Sequence, residues 1–140
     1  MTFRFEITDI PQKKDKTSLI AYLEGVLQIY IGGKLFFNQP YILLIELAIS
    51  IKEWLNSAEG GNNVDYIYNT MDHDEPLLEM IHLKSGSFQI KSIWQDLEII
   101  EQLPKEEIIN GFEEYLGNLS NTLKSKLDID LNELPAEESN

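Results

Sequence analysis

The sequence predicts an α+β domain: one mostly antiparallel sheet of about five to seven strands with two helices packed on one face. Three observations predict it. Apolar residues alternate with polar ones over several short segments, as they do in half-buried strands. Two longer segments, 40–56 and 104–127, repeat their apolar residues at helical spacing instead. The order is strands, helix, strands, helix, which lacks the strict β-α alternation of a parallel sheet. At 140 residues the chain can bury one core unaided, and with no cysteine it uses neither disulfides nor thiolates.

Thr2 to Ile10 alternates, with Phe3, Phe5 and Ile7 on one side and Arg4 and Glu6 on the other. Pro11 to Lys16 is a solvated turn. Ser18 to Ile31 reads as a hairpin turning at Glu24-Gly25, or as one long strand bulged at Gly25. Gly32-Gly33 signals a tight turn, and Lys34 to Phe37 a short returning strand. Asn38 stands as a cap for a helix over Pro40–Asn56, because a first helical turn tolerates proline.

That helix is more apolar than a surface helix requires. Leu43, Leu44, Leu47, Ala48, Ile51, Trp54 and Leu55 fall on one face, and Ile42, Ile45 and Ile49 form a second stripe. Only Glu46, Ser50 and Glu53 make a continuous polar strip. The second stripe needs cover from the chain itself or from a partner. The segment is too short and too charged to span a bilayer.

Ala58 to Asn63 is the clearest loop. Val64 to Thr70 is a strand with Tyr66 and Tyr68 opposite Ile67, ended by Met71 to Pro76. Leu77–Lys84 and Ser87–Gln95 form a hairpin about a two-residue Ser85-Gly86 turn, with Trp94 in phase with Phe88 and Ile90. Asp96 to Gln102 fits either a strand end or a first helical turn. Pro104 to Leu127 is the second helix, with Glu106 and Glu107 at the positive end of its dipole and Lys124 and Lys126 at the other. Gly111 and Gly117 each cost it about 1 kcal/mol relative to Ala unless they allow close packing. Residues 1–127 form the domain. Residues 128–140 hold five acids and no base and read as a mobile acidic tail.

Net charge is the strongest global signal, at −13. Such a surface repels phosphate backbones and anionic lipid, so neither nucleic acid nor membrane is an expected partner. It steers a basic protein partner in quickly. The opening residues show no charged and apolar leader, so cytoplasm is the expected compartment. Candidate chemistry is thin. Asp72-His73-Asp74-Glu75 does not match a metal-ligand spacing, and an acidic turn with an incidental histidine is the better reading. His82 shares a strand face with Leu78 and Met80 and reads as a satisfied histidine. There is no nucleophile elbow or phosphate loop. The expectation is therefore no enzyme, no cofactor and no metal.

The order GVLQIYIGGKLFF, LLIELAISIKEWL, YIYNTMDHDEPLLEMIHLKSGSFQIKSIWQ and then an amphipathic helix resembles small acidic proteins of Bacillus-type bacteria. These are similar in organisation to immunity proteins encoded beside toxins. Glu46, Trp54, Glu75-Pro76, Ser92 and Trp94 carry the resemblance over roughly residues 1–125. It implies a protein that binds and neutralises one cognate toxin, and the acidic charge points to a basic toxin domain. The acidic segments are the expected binding surfaces: Asp72, Asp74 and Glu75 in one, Asp96, Glu98 and Glu101 in the other. The alternative is a general interaction or regulatory module, homo-oligomeric through the apolar helix face. Salt separates the two, because charge-steered binding weakens with ionic strength and an apolar interface hardly responds.

Overall fold

A computed structural model of the chain describes residues 1–69, 76–95 and 102–134. The domain is α+β, but its strands form two antiparallel sheets rather than one. The first has the order β1-β2-β3, and the second β4-β5-β6-β7. Among the described residues, a single bridge from Phe37 to Gln95 links them. Among the described residues there are three α-helices, one more than the sequence predicts.

β1 (Thr2–Asp9) follows its predicted alternation and pairs with β2 (Glu24–Ile31). Between them lies the unpredicted helix α1 (Lys16–Tyr22). Ser18 to Tyr22 is therefore neither hairpin nor strand. The Asp15 carboxylate accepts the Ser18 backbone N–H at 3.3 Å and caps the helix. Leu19 and Leu23, one turn apart, are both buried. Gly25 is not a turn but an interior position of β2, opposite Ile7 on one side and Ile42 on the other.

Gly32 and Gly33, both at positive φ, close the two-residue hairpin into β3 (Lys34–Leu43). β3 runs on through Pro40, and α2 (Leu44–Ala58) starts only at Leu44, so Asn38 is not its cap. Pro40 is accommodated because the β2–β3 register slips between Gly25/Ile42 and Leu27/Gln39. Proline's missing N–H costs little at such a bulge. Tyr41, in the bulge, takes a left-handed φ of 62° and is 72 % exposed.

After one 3₁₀ turn at Glu59–Gly61 come β4 (Tyr66–Tyr68), β5 (Leu78–His82) and β6 (Ser87–Lys91). The last two form the predicted hairpin. Its register sets His82 opposite Phe88, so the loop is longer than the two-residue Ser85-Gly86 turn. Gly86, at φ 87°, closes a turn onto Leu83. β7 (Leu103–Pro104) leads into α3 (Lys105–Leu127).

α2 and α3 are shared by the two sheets. α2 touches β2, β3 and β4, and α3 touches β1 and β7. Trp54 of α2 meets Tyr66, Phe88 and Phe112 edge-on, and Phe112 in turn meets Phe3. One aromatic chain thus runs through the core from sheet to sheet. Ile42, Ile45 and Ile49 are all buried, and α1 lies against α2. The second apolar stripe is covered by the chain itself.

The tail does not leave the domain at residue 128. Asp128 adopts a left-handed φ of 54°, and the Ile129 N–H reaches back to the Leu123 carbonyl at 3.2 Å. This reversal directs Leu131 and Leu134 into the core, where both are buried. Residues 135–140 lie outside the described part.

Candidate functional site

All six acidic residues expected to bind a partner, Asp72, Asp74, Glu75, Asp96, Glu98 and Glu101, lie outside the described residues, as does His73. What the structure does describe is a cleft that reaches as far along the chain as Asn69. It is open to solvent, about 470 Å³ in volume, and lies between α1, α2 and β4. Its polar wall is Glu46, Ser50 and Glu53, the strip that the helical spacing picks out. Its apolar lining is Ile20, Ile49 and Ile67, and Tyr68 and Asn69 complete it. Asn69 directly precedes the 70–75 segment in sequence.

Two phenols fix the helix strip against β4. The Tyr68 hydroxyl donates to Glu46 Oε1 at 2.9 Å. The Ser50 hydroxyl donates to the Leu47 carbonyl at 2.8 Å, so its 2.7 Å contact with Tyr66 has the phenol as donor. Burial pushes both phenols far above their ordinary pKa, and the Glu46 carboxylate raises Tyr68 further. Tyr115 is displaced the same way by burial and donates to the Leu44 carbonyl at 2.7 Å. All three phenols stay protonated at neutral pH and act as donors, not as phenolate bases.

Glu53 is exposed and Ile67 is 47 % exposed, and both line the cleft. Among the described residues, no lysine or arginine lines it. The neighbouring cations are used elsewhere. Lys52 donates to Asn132 Oδ1 at 3.0 Å, and Lys105 holds the Ala58 carbonyl at 2.9 Å beyond the C-terminal end of α2.

Among the described residues, no three of His, Asp and Glu converge to hold a metal ion, and no buried side-chain polar atom lacks a partner. His82 is half-buried, with its ring 5.9 Å from that of Phe88. No helix of the described residues is long and apolar enough to cross a membrane. Sequence reasoning found the Glu46–Ser50–Glu53 strip but did not treat it as a site. It missed Ile20 because it missed α1, whose signal was Asp15 three residues before Ser18.

An acidic α+β domain with a carboxylate-walled, apolar-lined cleft is the class these features define. Residues 1–125 match the model of a domain family described as a domain of unknown function, DUF7878, and the chain belongs to that family. No curated protein and no solved structure matches it.

Proposed function

We propose that the chain is an immunity-type protein that binds and neutralises a cognate, basic toxin domain in the cytoplasm, without catalysis. The observation that carries this reading is the α1–α2–β4 cleft, which holds Glu46 and Glu53 with the exposed Ile67 on a chain of net charge −13. The charge steers a basic partner, and the cleft gives one lysine or arginine of that partner a defined seat. The segments holding Asp72, Asp74 and Glu75, and Asp96, Glu98 and Glu101, extend the acidic surface in this reading.

The alternative, an interaction module working through the apolar face of α2, needed Ile42, Ile45 and Ile49 open. They are 3 %, 0 % and 9 % exposed. That leaves the acidic surface as the better-supported contact.

Co-expression with the product of the neighbouring gene tests the proposal. The expected result is a complex that protects the cell and weakens strongly between low and high salt. Glu53→Lys with Ile67→Lys should abolish both binding and protection while leaving the fold intact, because both side chains are exposed. Absence of both complex and protection would sink the proposal.

A further inference from the structure

The first sheet ends in a strand with an open edge. Among the described residues β1 pairs with β2 alone, so Thr2–Asp9 offers one row of backbone donors and acceptors to another strand. Its inward row opens toward that edge: Phe3 is buried, but Phe5 and Ile7 are only partly so. The outward row is Thr2, Arg4, Glu6 and Thr8, with the Arg4 guanidinium 5.2 Å above the Tyr30 ring. A groove of about 300 Å³ lined by Arg4, Phe5, Glu6, Val26 and Gln28 runs along this side of the sheet.

The strand is complementary to its own reverse. Turned end for end about Phe5, Arg4 stands opposite Glu6 and Glu6 opposite Arg4. Thr2 stands opposite Thr8, Phe3 opposite Ile7, and Phe5 opposite itself. Opposite charges, paired threonines and paired apolar residues each stabilise an antiparallel ladder. Other registers lose this. Centring on Arg4 or on Glu6 sets like charges directly opposite each other. A one-residue slip puts the apolar row against the polar row.

We propose that β1 pairs with β1 of a second copy about a twofold axis at Phe5, joining two three-stranded sheets into one continuous antiparallel sheet. The interface is isologous, so each Arg4–Glu6 pair occurs twice. Two bodies of this net charge repel at long range, but at about 0.15 M salt the screening length is about 8 Å and the local register decides.

Sedimentation of the full chain at physiological salt, from micromolar to millimolar concentration, tests this. The wild type should dimerise. Arg4→Glu alone and Glu6→Arg alone should each weaken dimerisation by about tenfold or more, because each replaces two attractive pairs with two repulsive ones. An equimolar mixture of the two variants should form a heterodimer, since its rows are again complementary. The double swap Arg4→Glu with Glu6→Arg should self-associate like the wild type. Circular dichroism checks that each variant folds, and if a single reversal does not fold, the double swap decides. A wild type that stays monomeric throughout overturns the proposal. So does a dimer insensitive to these reversals, or one that complementary charges fail to restore.

Discussion

Replacing Gly25 by alanine probes the tightest point of the first sheet. Gly25 sits between β1 and β3, and an ideal Cβ there would stand 2.2 Å from the Glu6 carbonyl oxygen and 2.7 Å from Leu44 Cδ1. Ordinary contact begins near 3.4 Å. Restoring it requires moving the β1 backbone by about 1 Å, with Leu44 displaced as well, and such overpacking costs about 1–3 kcal/mol. Two neighbours must yield, one of them backbone, so the cost belongs at the upper end, about 3 kcal/mol. Restricting the unfolded chain returns about 0.4–1 kcal/mol. The net is a loss of about 2–3 kcal/mol, which lowers Tm by about 4–12 °C for a chain of this size.

Gly117→Ala supplies the contrast. That glycine lies inside α3, and a Cβ there meets nothing within 4 Å. The same change should stabilise the protein by about 0.5–1 kcal/mol. Urea unfolding followed by tryptophan fluorescence, with calorimetry for Tm, measures both. A Gly25→Ala protein as stable as the wild type would refute the packing argument, and matching signs at the two sites would refute the distinction between them.

Three further tests address other parts of the fold. The raised pKa values of Tyr66, Tyr68 and Tyr115 mean that the folded chain keeps protons the unfolded chain releases near pH 10. Their contribution is therefore fully present below pH 10 and is lost as pH climbs above it, so urea midpoints should fall steeply there and less steeply in Tyr66→Phe. Midpoints that stay flat to pH 11 would contradict this. Leu131→Ala should cost about 2–3 kcal/mol in urea unfolding if residues 128–134 belong to the core, and close to nothing if they do not. Tyr68→Phe removes the hydrogen bond to Glu46 and should cost about 1–2 kcal/mol by the same measurement, with Glu46→Gln milder because an acceptor remains.

What the sequence reveals of this fold follows the length and regularity of each signal. α3 is legible because twenty-three residues repeat one apolar face with acids at one end and bases at the other. β1 is legible because its alternation is uninterrupted. α1 is not, because seven residues give barely two turns, and Leu19, Ile20 and Leu23 fit a strand as readily as a helix. Its only distinguishing mark is the Asp15 cap. Pro40 misleads for a physical reason. A proline is equally at home in a first helical turn and in a strand bulge, and only the pairing of Gly25 with Ile42 decides between them. Asp128 hides the return of the tail because its left-handed turn is made without glycine.

The site follows the same rule. The Glu46–Ser50–Glu53 strip is written in the helix period, so sequence alone finds it. Its meaning depends on what stands opposite, and that is tertiary. β4 supplies two phenols that hold Glu46 and Ser50, and α1 supplies Ile20 as a wall. Once Tyr68 holds Glu46 in place, Glu53, Ile67 and Asn69 are the members of the cleft left exposed. Under the proposed function, a partner's cation would meet a carboxylate held by Tyr68 and an exposed one together.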